Sequence, residues 1–132
     1  MGTRALTIVK DENHEYLHLM RQSDGYIDCH GKALAKFLDG KVWTDGFRSE
    51  DRAGLFNGVD CLSAQIVAHF KTSPGRFYLG SKESTAEWGS PDYAYRVYLD
   101  GEKAIEIEVE RYGDIVFKGS PSDLLTFEEP EE

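Results

Sequence analysis

Cysteine is scarce in this sequence: Cys29 and Cys61 are the only two among 132 residues, and neither sits in a CxxC pair. That excludes a disulfide framework and agrees with a reducing compartment. Long apolar runs are missing too. No stretch approaches the ~18 residues needed to span a bilayer, and the opening "MGTRALTIVKDE" lacks the apolar centre of a signal peptide. A cytoplasmic protein without a membrane partner is expected. Leu6 stands where an N-myristoylation signal requires Ser or Thr, so Gly2 is no lipid site. Positive charge is in deficit: 15 Lys and Arg face 24 Asp and Glu, a formal −9 at pH 7. Sequence-blind binding to a polynucleotide draws most of its affinity from a basic footprint, which argues against DNA or RNA as partner. No GxGxxG, GKS or GKT element is present to cradle phosphate in the usual ways.

What is present describes one folded domain. Forty per cent of the residues are hydrophobic and 12% aromatic, enough for a core in a chain of this length. The terminal "EEPEE" holds four of the negative charges and leaves −5 on the rest. Residues 1–127 are therefore expected to form a single domain, and residues 128–132 a solvated acidic tail. Seven arginines lie along the domain, so a local anion pocket is compatible with the net charge.

Periodicity gives the architecture. "TRALTIVK", the turn-like "DENH" and "EYLHLMRQ" predict a strand hairpin. A helix is predicted from near Asp28, because Leu34, Phe37 and Leu38 recur at helical spacing before the "DG" stop at Asp39 and Gly40. Residues 41–58 have no period and are long for a connection, which suggests a functional flap. "DCLSAQIVAHFKTSPG" carries a helical stripe of Leu62, Ile66, His69 and Phe70, with Asp60 or Asn57 as candidate cap. "RFYLGS" then predicts a strand, followed by a loop bearing Trp88. "DYAYRVYLDGEKAIEIEVERYGDIVFKG" alternates through three strands of an antiparallel meander. The predicted fold is α+β: an antiparallel β-sheet of about five to six strands with two helices packed on one face, in the order ββααββββ.

Catalytic signals are weak. Cys61 and His69, eight residues apart on one helix, are separated by about 12 Å along its axis, too far for a nucleophile and its base. Cys29 and His30 are neighbours whose side chains diverge on a helix. A small buried thiol is the favoured reading of both cysteines, and a tertiary pairing such as Cys29 with His69 stays open at this point. His14 and His18 share a strand face about 13 Å apart, too far for one metal ion. No cofactor or metal is expected, and no enzyme activity.

The stretch "RQSDGYIDCHGKALAKF" is more informative. Arg21, Asp24 and Tyr26 flank Gly25 at a strand exit, where a tight turn presents a guanidinium, a carboxylate and a ring together. Arginine grips phosphate through paired hydrogen bonds, aspartate accepts from ribose hydroxyls, and an aromatic ring stacks on a base. The plain alternative is that Asp24 and Gly25 only make the turn, Tyr26 plugs the end of the core and Arg21 pairs with Asp24. The same chemistry nominates Arg48 and Arg52 on the flap, Trp88 before the meander, and Tyr95 and Arg96 on its first strand. Strand alternation would turn Tyr95 toward the core and Arg96 away from it.

The segments "MGTRALTIV", "RQSDGY" with "HGKALAKFL", "FNGVDCLSAQIVAHFK" and "DYAYRVY" resemble a family of small phage-encoded proteins, over most of the chain up to about residue 118. Ile27 replaces the proline that many members carry after the DGY. The group is similar to the Thoeris anti-defence proteins of the first type. The resemblance implies a sponge that sequesters a cyclic nucleotide immune signal, a cyclic ADP-ribose isomer or a cyclic oligonucleotide, without cleaving it. It also implies a homo-oligomer, a dimer or higher, in the cytoplasm of an infected bacterial host. Two other classes stay open at this point: a protein-protein inhibitor of a host enzyme, and a nucleotide-processing enzyme.

Overall fold

The computed structural model describes residues 2–44 and 54–130, and the structural statements that follow concern these residues. The first two apolar-alternating segments form a hairpin: β1 (Ala5–Lys10) and β2 (Glu15–Arg21) run antiparallel, with Ala5 opposite Arg21 and Thr7 opposite Leu19. Asp11 shapes the turn, its carboxylate accepting from the Asn13 and His14 N–H groups and from the Tyr16 hydroxyl, each at 2.8 Å.

After β2 the chain rounds a corner and enters a π-helical turn (Ile27–Gly31) that continues as α1 (Lys32–Leu38). Gly40, at φ 84°, ends this helix in a conformation that L side chains rarely adopt. Two short strands, β3 (Val42–Trp43) and β4 (Leu55–Phe56), pair parallel to each other. Then come α2 (Gly58–Phe70), β5 (Phe77–Gly80), α3 (Lys82–Glu87), β6 (Tyr93–Leu99), β7 (Ile105–Arg111), β8 (Asp114–Gly119) and α4 (Pro121–Thr126).

The main sheet has six strands in the order β5-β2-β1-β6-β7-β8. All its pairings are antiparallel except β1 with β6, which is parallel. The fold is therefore α+β with a mostly antiparallel sheet. It departs from the predicted two-helix order in carrying four helices. The two unpredicted ones, α3 and α4, span only six residues each, too short to display a period. Each is instead started by a capping box, Ser81 with Ser84 and Ser120 with Asp123, and α4 also by Pro121 in its first turn. Asn57 occupies the cap position of α2 but its side chain makes no capping bond.

Ala5, Val9, Leu17, Leu19, Tyr95, Val97, Ile107 and Val109 pack from the sheet into one core with Ile27, Leu34, Leu38, Leu62, Ile66 and Leu124 from the helices. Each of these core side chains is at most 4% exposed, and at roughly 1.5–3 kcal/mol per buried large apolar side chain this layer dominates stability. The opposite sheet face is covered in part. Leu6, Ile8 and Ala94 are each only 5% exposed, and α3 lies over this side, with the Trp88 ring against Gly80. Among the described residues no helix is long and apolar enough to cross a membrane.

Candidate functional site at the end of the sheet

Strand register assembles the site. Phe77, Arg21, Ala5, Tyr93, Arg111 and Asp114 are successive partners across the sheet and form its terminal row. Three strand spacings separate Arg21 from Arg111, about 14 Å.

The DGY corner closes over the middle of this row. A Cβ on Gly25 would lie 2.7 Å from the Ala5 Cβ, so only glycine fits there. The Gly25 N–H donates to the Thr3 carbonyl at 2.9 Å, and its carbonyl accepts from the Tyr95 hydroxyl at 2.7 Å. Asp24 takes the left-handed conformation at φ 61°, which aspartate tolerates better than most residues. With Gly25 pinned inward, Asp24 and Tyr26 project to solvent, Tyr26 at 42% exposure.

Arg21 lies beneath the corner, only 8% exposed. Its Nε donates to the Ser23 carbonyl at 2.7 Å, Nη1 reaches the His30 Nδ1 at 3.4 Å, Nη2 reaches the Cys29 Sγ at 3.7 Å, and its carbon lies 5.2 Å from the Phe77 ring centre. Because arginine can only donate, His30 Nδ1 accepts, which leaves the proton on Nε2 to be donated to the Thr7 hydroxyl at 2.8 Å. Burial, followed by the Arg21 charge, pushes the His30 pKa down to about 3, so the ring is neutral at pH 7. Arg21, Cys29 and His30 thus form a supporting network inside the fold. The plain alternative for this stretch also fails in detail: Arg21 does not pair with Asp24, and Tyr26 does not plug the core.

The other candidates do not converge here. Tyr95 is fully buried and contributes its hydroxyl to the corner from below. Arg96, one residue on, points to the opposite sheet face, where its Nη1 lies 3.1 Å from Glu110 and 3.8 Å from Glu108. Trp88 sits over that same opposite face, its carbonyl accepting from Arg4 at 2.7 Å. Arg48 and Arg52 lie outside the described residues.

Sequence reasoning missed the other half of the row. Tyr93 stacks on Tyr95 with ring centres 6.1 Å apart. The Arg111 guanidinium lies 6.0 Å from the Tyr93 ring centre and 5.7 Å from that of Tyr112, itself 64% exposed. Onto this platform comes Glu129, expected in a solvated tail. Its carboxylate accepts from the Tyr93 hydroxyl at 2.8 and 3.0 Å and from Arg111 Nη1 at 2.7 Å. Burial, then the Glu129 contact, pushes the Tyr93 pKa well above the usual phenol range. The segment reaches this position because the Lys32 Nζ gathers the Leu124, Leu125 and Phe127 carbonyls at the end of α4. Only the even pairing of "DYAYRVY" with "EIEVERY" hinted that Tyr93 and Arg111 are cross-strand partners.

Two concavities lie away from this row. Two hollows of about 460 and 680 Å³ flank the β1–β2 turn, both lined by Lys10, Asp11, Glu12 and Asn13, with Glu108 added in one and Glu15 in the other. Their acidic walls repel phosphate. His18, inside the second, is engaged by Thr85 at 2.9 Å and Glu15 at 2.8 Å, and His69 stacks on Phe37 at 4.2 Å. No group of three or more metal-ligating side chains occurs among the described residues. Comparison with family models, curated proteins and solved structures finds no match.

Proposed function

We propose that this chain is a phage anti-defence protein that binds and sequesters a cyclic nucleotide immune signal, a cyclic ADP-ribose isomer or a cyclic oligonucleotide, without cleaving it. It does so as a homo-oligomer in the cytoplasm of the infected bacterial host. The observation that carries this reading is the composition of the sheet end. Exposed Tyr26, Tyr112 and Asp24 stand at the same end as Arg111, which already grips an oxyanion. A nucleotide presents a base to stack, ribose hydroxyls to donate and phosphate to be gripped, and these groups match each in turn. The network around His30 supports sequestration over turnover, since a ring held neutral and bonded on both nitrogens is committed to structure.

The test is extraction. Protein purified from signal-producing cells is heat-denatured and the released small molecules are weighed by mass spectrometry. An intact cyclic nucleotide at near-stoichiometric yield is expected; a linear product, or no nucleotide, overturns the reading. A second reading, inhibition of a host protein, draws on the outer row of Glu106, Glu108 and Glu110, which Arg96 offsets only in part. A pull-down partner, with no heat on titration of cyclic nucleotides, would favour it.

A further inference from the structure

We infer that the Glu129 carboxylate is a built-in surrogate, filling an oxyanion site made by Arg111 and Tyr93 that a phosphoryl group of the guest enters by displacing it. This deepens the function proposed above and rests on it for the guest's identity. A guanidinium and a phenol that converge on one carboxylate would serve a phosphate equally, because arginine donates paired hydrogen bonds to either anion. Tyr93 is 5% exposed and its hydroxyl spans both Glu129 oxygens, so any group that replaces Glu129 must itself be a strong acceptor. An apolar group is a poor substitute.

The tether permits exchange. Glu129 lies beyond α4 in a stretch without regular structure, where Phe127 N–H to Leu124 carbonyl is the last main-chain bond among the described residues. Lys32 holds the carbonyls up to Phe127, so the Glu129 side chain and its neighbours can swing away while α4 stays capped. A groove of about 450 Å³, bordered by Asp28, Lys32, Phe127 and Glu128, opens beside the carboxylate and gives it somewhere to go. The exposed Tyr112 ring borders the guanidinium and offers a stacking face for a base next to the phosphate. In an acidic chain such a plug also rejects weakly bound ordinary anions, since a guest must outcompete a carboxylate held at high local concentration.

The experiment titrates the full chain with inorganic pyrophosphate and, separately, adenosine monophosphate, following amide resonances of residues 108–113 and 120–130. Glu129→Gln, which keeps the shape and drops the charge, should bind both probes at least fivefold more tightly than wild type, and Glu129→Ala should do the same. Arg111→Met should abolish binding in the Glu129→Gln background, with an unchanged melting profile as the folding control. Equal dissociation constants for wild type and both Glu129 variants overturn the inference, as does binding that survives loss of Arg111 or the absence of binding to any variant. A gain in Glu129→Gln without any cyclic nucleotide in the extraction assay sinks the function reading alone. Recovery of a cyclic nucleotide without that gain sinks this inference alone.

Discussion

Two buried polar side chains hold the corner, and each gives a measurable consequence. His30 has a folded pKa of about 3 against 6.5 for an unperturbed imidazole, so below pH 6.5 the unfolded chain takes up a proton that the folded chain refuses. The sign follows: stability is complete above pH 6.5 and falls as pH drops from there toward 3. Between pH 7.5 and 5 this one residue should remove about 2 kcal/mol, from roughly 1.4 kcal/mol per unit of pKa difference. Urea titrations at the two pH values should show that loss, and His30→Gln, though less stable at pH 7.5, should show almost none of it. An equal slope in the variant would assign the acid sensitivity to other groups. Tyr95 is the second case. Removing its hydroxyl orphans the buried Gly25 carbonyl, so Tyr95→Phe should cost about 1–3 kcal/mol in the same assay despite conserving the ring. A variant as stable as wild type would mean that water replaces the bond.

At the level of elements, the cover on the outer sheet face depends on one absent side chain. A Cβ on Gly80 would lie 2.5 Å from the Trp88 ring, too close to be absorbed without moving the indole. Gly80→Ala should therefore lift Trp88 and loosen α3, at a cost of about 1–3 kcal/mol, the usual range for overpacking. In a Trp43→Phe background the emission of Trp88 should shift to the red; unchanged emission would show that α3 moves with the ring. This element also marks what periodicity can convey. The hairpin, α1, α2 and the meander were legible because each repeats its apolar signal over six or more residues. Helix α3 was not, since "KESTAE" contains no apolar stripe and its start is set by side-chain capping at Ser81 and Ser84. The parallel pairing of β1 with β6 was invisible for another reason: adjacency between strands 88 residues apart is decided by packing of the whole sheet.

For the molecule as a whole, the candidate site was half legible. "SDGY" announced a corner, and the corner exists; alternation along the strand already turned Tyr95 inward and Arg96 outward, but a linear reading could not place Trp88 over the outer face with Arg96, away from the corner, until the layers were set. Arg111 and Glu129 came together only through register and through the path of the chain after α4. The proposed assembly belongs to this scale, and among the described residues the two edge strands of the sheet differ in a way that bears on it. Strand β8 carries a register irregularity against β7, and bulged edges resist further pairing. Strand β5 is regular against β2 and leaves Tyr78 at 42% and Leu79 at 67% exposure. The proposed homo-oligomer should accordingly form by antiparallel pairing of β5 with its copy, giving one sheet continuous across both subunits. Light scattering on the eluting protein should give twice the chain mass or an even multiple of it. Leu79→Lys, which puts like charges across that two-fold edge, should halve the mass without lowering the melting temperature of the monomer. A wild-type protein that elutes at the mass of one chain, or a Leu79→Lys variant that keeps the larger mass, would remove β5 as the seam.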